Sequence, residues 1–225
     1  VKSSYDEFLK AKQLRCDRLR QELDALYPDT VQLTLEIGCG HGHYLTAFAQ
    51  AYPDSACLGV DLVTKRIEKA VSKRDKRELK NLHFIKGEIR ELVSVFPKTI
   101  RLERIFILFP DPWPKKRHAK NRIIQSDLLD VLAERAEPET RLHFRTDHDG
   151  QFNWGLEKIG GHSIWVIDDE EPWPLEESSF FQDMMDDYYS LTAVIGGSEG
   201  SDTHKEPAEE EKLESGVTCD QAPSQ

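Results

Sequence analysis

From Val31 onward the chain repeats one unit: an apolar run, a turn, then a stretch with apolar residues at helical spacing. No other feature narrows the fold as much, because strands that alternate with helices are joined by crossovers and lie parallel. "VQLTLEIG" reads as a strand and "YLTAFAQAY" as a helix; "ACLGVDL" and "VTKRIEKAVSKRDKREL" repeat the pair. "LHFIKG" with "EIRELVSVF", "LERIFILF" with "QSDLLDVLAERA", and "TRLHFRTD" with "DGQFNWGLEKIG" complete five alternations. "HSIWVID" and "YYSLTAVI" add two late strands. The expectation is an α/β fold: a mainly parallel open sheet with helices on both faces. Residues 1–30 read as a charged helical extension whose apolar positions are Tyr5, Phe8, Leu9 and Leu14; residues 31–195 form the domain. Residues 196–225 lack aromatics and apolar periodicity and read as a disordered acidic tail.

The net charge of −11 argues against a nucleic-acid partner only until its distribution is considered. The tail contributes −6 and the segment Trp165–Ser190 contributes −9, which leaves the rest of the chain at about +4. The densest positive charge is local, in "FPDPWPKKRHAKNR", residues Phe109–Arg122. No apolar run approaches the roughly 18 residues of a membrane span, and the polar N-terminal stretch has no signal-peptide core. Cys16, Cys39, Cys57 and Cys219 lack CxxC spacing, so neither a metal cage nor a disulfide framework is expected, and a reducing cytoplasm is.

In an open α/β sheet, ligands bind beyond the carboxyl ends of the strands, where the strand order reverses. Four strands here end in unusual residues. "EIGCGHG" follows the first, and Gly38, Gly40 and Gly42 let the backbone turn sharply beside a ligand. The GxGxG spacing differs from the GxGxxG of dinucleotide sites. Glu36, just before the turn, disfavours a pyrophosphate and favours a cationic or hydroxyl-bearing ligand. Asp61 ends the second strand, where a carboxylate either bridges ribose hydroxyls or caps the next helix. Glu88 ends the third, where it either meets an adenine amino group or faces the dipole of a following helix. A glycine turn with acids at successive strand ends points to S-adenosyl-L-methionine, a sulfonium ligand without phosphate.

Asp111 follows the fourth strand, held between Pro110 and Pro112 beside Trp113. Prolines fix φ and reduce the entropy lost when the loop orders. A carboxylate there suits a guanine, whose N1–H and exocyclic amine are donors, and a base acquiring positive charge. The bases Lys115, Lys116, Arg117, Lys120 and Arg122 suit phosphates.

Carried by "LEIGCGHGHYL", "FPDPWPKKRHAKNRIIQ" and "RTDHDGQFNW", the chain resembles the bacterial tRNA (guanine-N7)-methyltransferases over about residues 30–160. The resemblance implies a Rossmann-like class I methyltransferase sheet of seven strands, the last antiparallel. It implies methyl transfer from S-adenosyl-L-methionine to N7 of the variable-loop guanine of tRNA. The protein is expected to act as a monomer or homodimer, without a metal or a membrane. By the same match, Glu36, Asp61, Glu88 and Asp111 are cofactor-binding acids, Asp111 is also the catalytic residue, and Lys115 and Asp147 contact substrate. The family's Thr-x-x-Glu substrate motif has its counterpart in "SSFF", where Ser178 keeps a hydroxyl and Phe181 replaces the glutamate. Two rivals remain open on sequence: a methyltransferase of this fold acting on another RNA or a small molecule, and a non-catalytic RNA-binding module.

Overall fold

The computed structural model describes residues 2–168, 170, 172–176 and 188–196. The acidic tail, Ser178 and Phe181 lie outside these residues. Helix α1 (Lys2–Leu26) leads into β1 (Val31–Ile37), α2 (His43–Ala51), β2 (Ala56–Asp61), α3 (Thr64–Lys76), β3 (Leu82–Lys86) and α4 (Ile89–Ser94). Then come β4 (Ile100–Leu108), a 3-10 turn (Lys116–Asn121), α5 (Ser126–Ala133), β5 (Ala136–Thr146), α6 (Asp149–Gly160), β6 (Trp165–Ile167) and β7 (Tyr189–Ile195).

The strands form one sheet in the order β3-β2-β1-β4-β5-β7-β6. β1 pairs in parallel with β2 and β4, and the order reverses between those two pairings. β7 runs antiparallel to both β5 and β6. This is the Rossmann-like class I methyltransferase sheet, mostly parallel and flanked by helices.

Side-chain alternation decides which helices cover which face. Leu33, Leu35 and Ile37 of β1, Ile105 and Ile107 of β4, and Leu142 and Phe144 of β5 join one buried cluster with residues of α1, α4, α5 and α6. Phe84 and Phe106 face the other way, into a cluster with Tyr44, Leu45 and Phe48 of α2 and Ile67 and Ala70 of α3. Beside them, Trp173 and Leu175 pack against that second cluster.

One local expectation is sharpened and another is corrected. In α1 the buried positions are Cys16, Leu19 and Leu23, with Tyr27 just beyond the helix; Tyr5, Phe8, Leu9 and Leu14 are exposed. Only the second half of α1 reaches the sheet, so the apolar residues of the first half have no core to enter. The helix expected to run through Ala136 ends at Ala133, and Ala136 already belongs to β5. Pro138 is absorbed by an irregularity where the β4–β5 register shifts between Leu102 and Arg104. There Thr140 accepts from the Glu137 amide and donates to the Leu102 carbonyl. No described helix is long and apolar enough to cross a membrane.

Candidate active site

Because β3, β2, β1 and β4 are adjacent and parallel, Glu88, Asp61, the glycine turn and Asp111 follow one another along the carboxyl edge of the sheet. Three interstrand gaps of about 4.8 Å give this rim a span of about 14 Å, the scale of a nucleoside.

The turn at its centre needs glycine for two different reasons. Gly38, Gly40 and Gly42 all have positive φ, at 74°, 53° and 66°. A Cβ on Gly42 would lie 2.5 Å from Phe84 Cζ and 2.8 Å from Ala70 Cβ. A Cβ on Gly38 or Gly40 would meet no protein atom within 4 Å. The first glycines therefore leave open space above the turn, while the third lets α2 pack close to the sheet.

Glu36 lies beneath this space, 4% exposed, and its Oε2 is buried without a hydrogen-bond partner. Burial pushes its carboxyl up to about 8, against a hydrogen bond from the Leu45 backbone and the attraction of Lys73. A buried, half-satisfied carboxyl under an open cradle fits a ligand that brings a cation or donor. Asp61 is 6% exposed and braces the turn. Its Oδ2 accepts from the Gly40 amide at 3.1 Å and lies 3.5 Å from Arg66, and its Oδ1 accepts from the Val63 amide at 2.7 Å. Each carboxylate oxygen has two acceptor positions, so capacity for hydroxyl donors remains. Exposed Leu62 and Val63 flank it with apolar surface.

Glu88 is the N-cap of α4: its Oε2 accepts from the Glu91 amide at 2.9 Å, and its Oε1 lies 3.4 Å from Arg90. Of the two readings open on sequence, the helix-terminal one describes its contacts, and Glu88 also lines a cavity of about 250 Å³ with Leu62, Gly87 and Arg15. Helix α1 closes this end of the rim. Arg15 forks onto Glu91 at 2.6 and 2.9 Å, and Arg18 donates to the Lys86 carbonyl. The sequence offered a signal for this, the Cys16-Leu19-Leu23 spacing, in place of the residues singled out there.

The loop after β4 is strained at two aromatic residues. Phe109 and Trp113 have φ of 46° and 42°, and each precedes a proline, which disfavours the right-handed region. The Phe109 amide donates to the Arg145 carbonyl at 2.8 Å, and its ring lies 6.1 Å from that of Tyr188. Asp111 is exposed, and no described residue pairs with it. Asp147, just past neighbouring β5, is also exposed. Beyond Asp111, Lys115, Arg117 and Lys120 are exposed, and Lys116 opens the 3-10 turn.

Arg122, expected as a phosphate contact, is engaged within the protein. Its guanidinium donates to the Gly150 carbonyl at 3.0 Å and the Trp113 carbonyl at 3.4 Å, over the ring of Trp154. It ties the base of the basic loop to α6, and those bonds leave it little reach toward a phosphate. His148, which had no expected role, occupies the N-cap position of α6 without a side-chain capping bond.

One cluster was not foreseen. Arg145, 3% exposed at the end of β5, stacks 3.6 Å from the Trp173 ring and 4.8 Å from the Tyr188 ring. It also pairs with Glu176 at 2.7 Å and donates to Ser190 at 2.9 Å. It thus clasps residues on both sides of the 177–187 stretch to the sheet. Neighbouring His143 stacks on Phe106 and is held neutral, pushed down to about 3 by burial and then by Arg104, Arg141 and Arg145. Little in the sequence warned of this, because Arg145 sits in a strand that already carries Arg141 and His143 among its apolar residues.

Among the described residues, no group of three or more His, Cys, Asp or Glu is placed to hold a metal.

A family model described as "Putative methyltransferase" (Methyltransf_4) matches residues 30–187. The chain is similar to the tRNA (guanine-N(7)-)-methyltransferase of Rhodospirillum rubrum, 34% identical over 151 residues, covering 66% of this chain. It spans 59% of that relative's length, under two thirds. The tRNA (guanine-N(7)-)-methyltransferase of Clostridioides difficile is 30% identical over 151 residues, 67% of this chain and 70% of that protein. Two solved structures share the fold. One is an antibiotic-related methyltransferase, with TM-score 0.53, 19% identity, and coverage of 79% of this chain and 93% of that one. The other is an rRNA methylase from Streptococcus thermophilus, with TM-score 0.51, 13% identity, and coverage of 81% and 94%. With the family model matched over β1 to β6 and the carboxyl rim, the chain belongs to this methyltransferase family and is related to the tRNA (guanine-N7)-methyltransferases.

Proposed function

We propose that the protein is an S-adenosylmethionine-dependent enzyme that methylates N7 of a guanine in tRNA. The observation that carries this reading is the adjacency, across neighbouring strands, of an open glycine cradle over a half-satisfied Glu36 and an exposed Asp111 followed by exposed Lys115, Arg117 and Lys120. The names of the curated relatives supply the tRNA and the N7 position.

When bound, S-adenosylmethionine supplies an electrophilic methyl group on a sulfonium sulfur. Glu36 and the turn at Gly38 and Gly40 would hold its amino-acid end, and Asp61, Leu62 and Glu88 its nucleoside. N7 of guanine has a lone pair and no proton, so the chain needs no general base. Its task is positioning, plus a fixed negative charge where the purine becomes cationic. Asp111 is that charge. The prolines on either side and the Phe109 amide bond to β5 limit its loss of entropy on ordering. Lys115 and Asp147 contact the substrate nucleotide, with Ser178 from outside the described residues. Lys116, Arg117 and Lys120 grip phosphates.

Loss of one electrostatic contact of this type costs about 2.7–4 kcal/mol of transition-state stabilisation. Asp111→Asn is therefore expected to keep the fold and most of the cofactor affinity while turnover falls by more than about tenfold. Turnover at the wild-type level would remove Asp111 from this role. The substrate is tested by methyl transfer to tRNA lacking N7-methylguanine, read by nucleoside mass spectrometry, with rRNA and free guanosine nucleotides in parallel. Phe181 in place of the family's glutamate favours one second reading, methylation of another RNA, which transfer to rRNA alone would select.

A further inference from the structure

Helix α3 carries a second basic surface, separate from the loop after β4. At 100° per residue, Lys65, Arg66, Lys69, Lys73, Lys76 and Arg77, the last just past the helix, fall within about a third of its circumference. Glu68 and Asp75 lie on the opposite side, and Ile67 and Ala70 enter the core. The flank adjoins the glycine turn, where the Lys73 ammonium donates to the His41 carbonyl at 3.0 Å. The rings of His41 and His43 lie 6.2 Å apart beside it.

Like charges three and four residues apart on a helix repel. Lys65–Lys69, Arg66–Lys69, Lys69–Lys73, Lys73–Lys76 and Lys73–Arg77 are all such pairs. The structure does little to relieve them. Among the described residues, no ion pair engages Lys65, Lys69, Lys76 or Arg77, and Arg66 alone meets an acid, Asp61, at the rim. The field is felt nearby: His41 and His43 are held below their ordinary values by burial and then by the neighbouring cations, and burial and Arg77 push Lys73 down to about 8. The flank has no exposed large hydrophobic residue, which a protein interface core or a membrane-surface helix would need. From Arg66 to Arg77 it runs about 16 Å away from the donor rim.

We infer that this flank of α3, with His41 and His43, is a second contact surface for the RNA backbone, leading from the donor rim down the side of the domain. The inference rests on the proposed RNA substrate. It makes the RNA-binding surface bipartite: the loop after β4 holds the strand at the reacting base, and α3 holds a stretch beyond it.

The test is Lys69→Glu/Lys76→Glu/Arg77→Glu in the full chain, at residues outside the cofactor and catalytic machinery. The expected result is unchanged S-adenosylmethionine affinity by calorimetry, tRNA affinity at least about tenfold weaker near 0.1 M salt, and a log–log salt slope shallower by about 2–3. Lys69→Arg/Lys76→Arg keeps the charge and should behave as wild type. If the triple variant does not fold, Lys69→Gln/Arg77→Gln gives the same readout with a slope change of about 2. A folded variant with wild-type tRNA affinity and slope overturns the inference, as does unchanged tRNA binding with lost affinity for poly-glutamate, which would assign the flank to an acidic protein. Wild-type protein that neither binds nor methylates tRNA sinks the substrate reading itself, a result visible before any variant is made.

Discussion

Gly40 and Gly42 both occupy the left-handed region, yet different neighbours require them. Gly42 has no room for a side chain against Phe84 and Ala70, so Gly42→Ala combines overpacking with a left-handed alanine. We expect it to lower stability by about 2–4 kcal/mol. Gly40→Ala meets open space and carries only the backbone cost, about 1 kcal/mol. Its methyl would stand in the cradle, so we expect near-normal urea unfolding with S-adenosylmethionine affinity reduced at least about tenfold. Wild-type affinity in Gly40→Ala would mean that the ligand does not rest on this turn. The glycines and Glu36 were legible in the sequence because backbone freedom and a charge beside it are local properties. Which glycine packs and which leaves space was not, since Phe84 reaches Gly42 from a strand two positions along the sheet.

At the scale of elements, the short stretch around Trp173 takes a place a helix holds elsewhere. α2 and α3 cover their part of the sheet, while Trp173 and Leu175 pack beside Phe106 and His143. Tyr52 at the end of α2 donates to the Pro174 carbonyl, and Arg145 stacks on the indole. Trp173→Ala should therefore cost about 2–4 kcal/mol through lost burial and lost cation–π contact, measured as a shift in the urea midpoint. A shift near zero would show that this stretch lies loosely on the sheet. The segment Trp165–Ser190 carries nine acids and no lysine or arginine. Of its acids, Glu176 is neutralised by Arg145, a pairing that depends on β5 and β7 lying side by side. The basic loop shows the reverse case. Arg122 looked like one more phosphate contact because composition groups it with the lysines, but α6 packs close enough to claim its guanidinium.

For the molecule as a whole, buried titratable groups set how stability follows pH. Glu36, raised to about 8, keeps in the native state a proton that the unfolded chain releases above about 4.5. Its contribution to stability therefore falls as pH rises from about 4.5 to about 8, by about 1.4 kcal/mol per unit. His143, lowered to about 3, stays neutral where the unfolded chain takes up a proton, so its contribution falls as pH drops from about 6.5 toward 3. Between about 4.5 and 6.5 the two slopes oppose and leave a plateau. Glu36→Gln should remove the alkaline side: the stability gap between variant and wild type is expected to widen by at least about 2 kcal/mol from pH 5 to pH 8 in urea unfolding. A gap independent of pH would show that Glu36 ionises normally. Charge is also uneven across the molecule. The acidic balance of the chain is concentrated in its last third, while α3 and the loop after β4 present cations on the domain.

By itself the sequence determined the alternation of strands and helices, hence the parallel sheet, and it placed a glycine turn and four acids at strand ends. Periodicity, turn chemistry and spacing are carried by neighbours along the chain, and parallel topology then brings all strand ends to one edge. Only the tertiary structure decided which side chains are occupied by packing: Glu88 as a helix cap, Arg122 as a brace, Arg145 as a clasp, and one flank of α3 left with uncompensated charge. These depend on desolvation and on contacts between residues distant in sequence, and no local pattern records them.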